Sequence, residues 1–391
     1  MTSSRSRHNR EVVLVGAALA LPHELPHEPS SHRLAAQAAR RALTDAGLAK
    51  DDVDGLFSNS DGTDLMYPAV LAQYLGLAPR YTDSTEAGGS SWEAYIHHAV
   101  AAIQSGLCDV ALIVFGRALR SESAGRFATD LHRTYQQTGP AQFEDIYGWT
   151  IPGYYALAAQ RHMHDFGTTP EQLAEIAVAT RYNAGPNPGA RFRDAITADD
   201  VLSSPLIADP LHRLDCCLLT DGGGAVVLTT RDRAESLRKR PIQVLGTAEY
   251  TLGLSPVYHD SMIHTPAAKS GPAALAMAGI TLADVDVLQL YDSFTITVLL
   301  TLEDLGFCAK GEGGAFVEGG RLRFDGPLPT NTDGGGLSAT HPGMRGMFLL
   351  VEAAKQLWGE AYAQVADARV ALCHGTGGYL STGSTIVLGI E

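Results

Sequence analysis

The sequence predicts an α/β protein made of two similar halves, and three observations predict it. Residues 42–54, ALTDAGLAKDDVD, recur as residues 274–286, ALAMAGITLADVD, at a constant offset of 232 residues. Ala-Leu, Ala-Gly, an aliphatic residue and Asp-Val-Asp return in register. Residues 90–116 and 346–378 each read as a helix, a turn and an apolar strand. Elsewhere short apolar runs alternate with helical stretches, the pattern of helices covering both faces of a sheet. Self-similarity of this kind fixes an architecture before any single motif does. It also places a site where matched loops of the two halves meet.

Taken in order, residues 12–17 form a short apolar run ending near Gly16, read as a buried strand. Ser30 or Ser31 caps a helix that runs to Ala46, with Gly47 as its stop. Residues 53–58 are the next strand. Ser90 or Ser91 caps a helix over 92–105, and residues 110–115 are a buried strand. The alternation predicts a parallel sheet. Residues 117–205 differ: they hold Pro-Gly turns and the aromatic group Tyr147, Trp149, Tyr154 and Tyr155. This stretch reads as an insertion covering a site. The first half thus spans 1–239, with its cap at 117–205, and the second spans 240–391.

A chain of 391 residues can bury a large core. Apolar residues are 45% and charged residues 18%, an ordinary globular composition. The net charge of −14, with no block of Lys or Arg, argues against a nucleic-acid surface. Five Cys at irregular spacing predict reduced thiols, no metal site and a cytoplasmic protein. The polar N-terminal residues lack the apolar core of a signal peptide. No run approaches a membrane span.

Four motifs carry candidate chemistry. In EAGGSSWEAY, Gly88, Gly89 and Ser90 precede a helix, whose start offers unpaired N–H groups to an anion or a thioester carbonyl. The plainer reading is a tight strand-to-helix turn. In LQLYDSF, Tyr291 and Asp292 end an apolar strand and point to a cleft, with Asp292 read as capping or orienting. In NTDGGGLSATHPGMRG, a Gly-rich loop delivers His341, and Pro342 and Gly343 open a helix. Histidine titrates near neutrality and suits proton transfer. In ALCHGTGGYLS, Cys373 is either an acid/base thiol or inert packing, His374 stands beside it, and Gly377 and Gly378 offer backbone N–H groups as an anion nest. Cys216-Cys217 reads as core of an apolar strand, and His97-His98 as structural.

These residues resemble the thiolase superfamily, and within it the sterol-carrier-protein-like, or lipid-transfer, branch. LTDGGGAVVL, YDSFTITVLLTLEDLGFC, NTDGGGLSATHPGMRG and CHGTGG follow one another in family order. The resemblance implies a duplicated thiolase fold with five layers, α/β/α/β/α. It implies a homodimer and a site for an acyl-CoA thioester, with coenzyme A entering as substrate and no further cofactor. The apolar runs at 109–115 and 371–373 are read as supplying strands for a sheet continuous through the dimer.

By the resemblance, His341 matches the family's catalytic His, Cys373 its acid/base Cys, and Tyr291 a residue that binds the oxyanion. Gly88 stands where the family's nucleophilic Cys would be. Without that thiol no ordinary acyl-enzyme forms. The expectation is therefore retro-aldol cleavage of a bulky, steroid-like β-hydroxyacyl-CoA. Tyr291 or His341 would be the base, Cys373 or His374 would return the proton, and a small OB-fold/zinc-ribbon protein is an expected partner. The alternatives are a Claisen-type acyltransferase and a non-catalytic acyl-CoA or lipid binder.

Overall fold

The computed structural model describes residues 10–25, 27–59, 66–122, 143, 150–254, 259 and 261–391. Tyr147 and Trp149 lie outside them. Its strands are β1 (Val12–Ala20), β2 (Gly55–Phe57), β3 (Tyr81–Asp83), β4 (Val110–Arg117), β5 (Leu206–Ala208), β6 (Leu211–His212), β7 (Gly222–Thr230), β8 (Ile242–Thr251), β9 (Val287–Leu290), β10 (Val370–Gly377) and β11 (Thr382–Gly389). Its longer helices are α1 (Ser31–Ala46), α2 (Tyr67–Leu75), α3 (Ser91–Gln104), α4 (Ile151–Phe166), α5 (Pro170–Ala184), α6 (Ala267–Ala278), α7 (Thr295–Leu305) and α8 (Gly346–Trp358).

The repeat seen in the sequence is a repeat in space. The first half orders its strands β3-β2-β4-β7-β1 and the second β8-β11-β10-β9. The two meet at β1 and β8 through only two residue pairs, Val13 with Gln243 and Leu14 with Ile242. Helix α1 begins where the Ser30 side chain accepts the Arg33 N–H, and ends on left-handed Gly47. Its counterpart α6 ends on left-handed Gly279. The shared Asp-Val-Asp has a matching task in each half. Asp54 accepts the N–H groups of Asp109 and Val110 at the start of β4. Asp286 accepts those of Arg369 and Val370 at the start of β10.

Five layers follow from side-chain alternation along the strands. Val13 and Val15 of β1, and Val110, Leu112 and Val114 of β4, pack with α1 on one outer face. Val12 and Leu14, and Ala111, Ile113 and Phe115, face inward onto α3 and α8. From the other half Ala371, Cys373, Ile386 and Leu388 reach the same central layer. Leu372 and Val387 turn outward to α6 and α7. Helices α3 and α8 therefore lie between the halves. Each fully buried Leu or Ile here contributes about 1.5–3 kcal/mol of transfer free energy.

Three expectations are corrected. The sheet is mixed: β2 runs parallel to β3 and β4, and β9 to β10, but β7 is antiparallel to β1 and β4, and β11 to β8 and β10. Strand β11 follows β10 through a short return with no crossover helix, which forces an antiparallel pair. Strands β4 and β10 are interior to the sheet, each flanked on both sides, so neither can extend a sheet into a second copy. Cys216 and Cys217 are not in a strand; they sit half-buried in the loop before β7. None of the described helices is long and apolar enough to cross a membrane.

Candidate active site

The matched loops of the two halves do meet. Gly88 adopts a left-handed φ of +59°, and a Cβ there would lie 2.9 Å from Gly377 Cα and 3.0 Å from Gly378 N. A Cβ on Gly89 would collide with the Tyr291 ring and the Thr376 carbonyl. This close backbone approach explains the glycines of EAGGSS. The expected Ser cap of α3 is absent. Ser90 Oγ instead contacts Thr382 Oγ1 of β11 at 2.9 Å and donates to the Ala87 carbonyl. Ser91 Oγ accepts the Ala87 N–H. The serines therefore tie the loop together rather than capping the helix.

Opposite stands Tyr291, one residue past β9. Its N–H bonds the His374 carbonyl, and its hydroxyl lies 3.0 Å from His341 Nε2. Both side chains are buried, and their rings meet edge-on with centroids 5.6 Å apart. The His341 backbone is held by reciprocal bonds with Thr220. Its Nδ1 has no hydrogen-bond partner among the described residues. Burial, with the Arg345 and Arg117 charges adding to it, pushes the imidazole down to about 3. His341 is thus neutral at working pH, and its Nε2 stands where it can accept the hydrogen bond of the Tyr291 hydroxyl. Nitrogen NMR shifts of His341, assigned with a His341→Gln variant, should not move between pH 5 and 8. A titration midpoint in that range would contradict this neutral state.

Asp292 does not cap α7, whose first flanking residue is Phe294. It accepts the N–H groups of Gly336 and Leu337, fixing the loop that leads to His341. Arg345, fully buried, lies 3.2 Å from Asp292, forks onto both oxygens of Asp333 and donates to the Thr340 carbonyl. Burial raises Asp292 to about 6 against the pull of Arg345 and the two N–H groups, so it is ionised at neutrality. Helix α8 opens at Gly346, after this arginine, not at Pro342.

The two neighbours on β10 part company because successive side chains point to opposite faces. Cys373 points into the central layer, fully buried, its Sγ 3.7 Å from the Leu349 carbonyl. His374 points to the outer face, where Nδ1 meets Thr385 Oγ1 at 2.9 Å and the ring abuts Gly383. The structure therefore gathers Gly88, Gly89, Ser90, Tyr291, His341, Gly377 and Gly378, sets Asp292 behind them, and leaves the His374 ring outside. Tyr155 of the insertion donates to the Gly378 carbonyl and stacks on Phe294 at 4.5 Å, beside Tyr154.

Sequence reasoning missed Arg345, Asp333 and Glu93. For Glu93 and Arg345 the available signal was a charged residue at the edge of an apolar helix; Asp333, in a turn, offered none. His98, read as structural, bridges Asp83 at 2.7 Å and Glu249 at 3.5 Å, and these carboxylates raise it to about 9.

A duplicated α/β body with a glycine-lined meeting of loops defines a class that known proteins share. Residues 17–232 match the family described as Thiolase, N-terminal domain, and residues 253–390 match Thiolase C-terminal domain-like. The chain belongs to the thiolase family. It is 35% identical over 363 residues to 17-hydroxy-3-oxo-4-pregnene-20-carboxyl-CoA lyase of Mycobacterium tuberculosis, covering 89% of this chain and 92% of that one. It is 32% identical over 391 residues to an acetyl-CoA acetyltransferase of Methanothermobacter thermautotrophicus, covering 97% and 99%. The solved Ltp2-ChsH2(DUF35) aldolase superposes with a TM-score of 0.84 at 28% identity, over 97% of each chain.

Proposed function

We propose that this thiolase-family enzyme cleaves a bulky β-hydroxyacyl-CoA by a retro-aldol reaction, without an acyl-enzyme. The observation that carries the reading is the Tyr291–His341 pair at 3.0 Å, with the Tyr291 ring against Gly89, next to Gly88, a position with no nucleophile. The pair removes the β-hydroxyl proton, the Cα–Cβ bond breaks, and its electrons form a thioester enolate. Backbone N–H groups at the start of α3 and near Gly378 hold that enolate. Cys373 supplies the returning proton; His374, on the other face of β10, does not. Coenzyme A enters as part of the substrate, and no cofactor takes part. The lyase and aldolase relatives support the chemistry and a steroid-like acyl group.

The direct test is a β-hydroxyacyl-CoA incubation followed by product analysis and intact protein mass. A ketone or aldehyde with a shortened acyl-CoA, and no mass adduct, is expected. A persistent acyl adduct would favour the Claisen-type acyltransferase, which the acetyltransferase relative and the presence of His341 and Cys373 recommend as the second reading. Ligand binding with no product from either reaction would point to a lipid-binding role.

Gly88→Cys should not create an efficient thiolase. The new side chain meets Gly377 and Gly378 at 2.9–3.0 Å and sits at a φ that L-residues avoid. A misplaced nucleophile loses about 10²-fold. Slow adduct formation without rapid thiolysis is expected in an acyl-CoA chase; full thiolase turnover would overturn the aldolase reading.

The assembly we infer is a cytoplasmic homodimer that works with a small OB-fold/zinc-ribbon partner. The two-component Ltp2-ChsH2(DUF35) aldolase supports the partner. Light scattering with and without a co-expressed candidate partner tests both points.

A further inference from the structure

Glu93 lies on α3, four residues past Gly89, and is fully buried. Neither carboxyl oxygen has a hydrogen-bond partner among the described residues. A carboxyl left this way costs several kcal/mol of desolvation. Native proteins satisfy such groups unless they serve another purpose. The surroundings are shaped around it: a Cβ on Gly346 or on Gly375 would collide with Glu93 Oε2, so both positions stay open. The same niche touches the Gly89 carbonyl, whose residue abuts the Tyr291 ring. Gly375 and Cys373 share one face of β10, so the thiol looks into the layer that holds the carboxyl.

We propose that Glu93 is the acid that restores the proton of Cys373 during turnover. The inference rests on the retro-aldol reading. On cleavage the Cα–Cβ electron pair becomes the enolate. Cys373 gives its thiol proton to the enolate carbon, and the resulting thiolate takes the Glu93 proton. The proton removed from the β-hydroxyl by the Tyr291–His341 pair returns through solvent to the Glu93 carboxylate. One proton leaves oxygen, one arrives at carbon, and no oxidant is needed. Burial pushes Glu93 well above the usual carboxyl range, the direction a proton donor in this relay needs. Burial and the nearness of Glu93 likewise push Cys373 up.

The experiment follows deuterium entry from D2O into the methyl group of acetyl-CoA, the relay run in reverse and forward: the ionised fraction of Glu93 takes the Cys373 proton, the thiolate takes the α-proton, and the same steps return deuterium. Wild type should exchange. Glu93→Gln should slow exchange about 10²-fold or more, with circular dichroism and CoA-ester affinity unchanged. Glu93→Asp should recover part of the loss; equal loss in Gln and Asp would mark a packing role and overturn the proposal. Cys373→Ala should cost as much as Glu93→Gln, and the double variant no more, because the groups act in series; additive losses overturn it. The infrared difference between wild type and Glu93→Gln at neutral pH should show a protonated carboxyl, and a carboxylate band overturns the proposal independently of activity. Exchange by wild type with an unaffected Gln variant removes the relay alone. No exchange by wild type removes the enolate chemistry and the relay with it.

Discussion

His341→Ala is expected to lower kcat by about 10²–10⁴-fold while the CoA ester binds within a few-fold of wild type. The range is that of losing a positioned proton-transfer group. The rate falls because Tyr291 Oη loses the imidazole that stands 3.0 Å from it and completes the proton-transfer pair. Binding persists because affinity for a large CoA ester is spread over many contacts. Tyr291→Phe, which removes one oxygen, should give a loss of the same order. The double variant should be little worse than either, since the two act as a unit. Single-turnover kinetics beside equilibrium titration makes the measurement. Wild-type turnover in His341→Ala would mean that His341 only holds the loop.

Arg345→Leu is expected to cost about 3–5 kcal/mol of stability, the magnitude of removing one partner from a buried ion group. Arg345 is completely buried between Asp292 and Asp333. Without it, two carboxylates face each other in a low dielectric and must take up protons or separate. The Gly336–Leu337 loop then loses its anchor, and the Thr340 carbonyl loses its donor one residue before His341. Activity should fall with stability, unlike the His341 variant, where stability stays. Thermal and urea unfolding would show the difference; an unchanged midpoint would mean that Arg345 does not hold this loop in place.

The layered fold was legible because its signals are local. Apolar alternation along β1, β4, β10 and β11 encodes which face meets which layer. The 232-residue offset encodes the duplication, and Asp54 and Asp286 show it is more than compositional, since each secures the strand that starts near it. The turn chemistry at Ser30 and Gly47 was equally readable. The Ser90 cap was misread because the Gly88–Gly89 backbone turns toward β10 and β11, a partner nearly 300 residues away.

By itself the sequence determined the two halves, the strand and helix order, and the absence of a Cys at Gly88. These depend on residue type and spacing, which one chain displays. Of the expected meeting of Gly88, Tyr291, His341 and Cys373, the Tyr291–His341 pair lies beside the Gly88–Gly89 turn, and Cys373 lies in the central layer. Tertiary structure decided what depends on facing and burial. It set β7 and β11 antiparallel, placed β4 and β10 inside the sheet, and turned Cys373 inward and His374 outward on consecutive residues. It also buried Arg345 and Glu93. Spacing names which groups lie near one another in the chain. Only packing decides which of them share a low-dielectric interior, and there a missing partner costs enough to change protonation and chemistry.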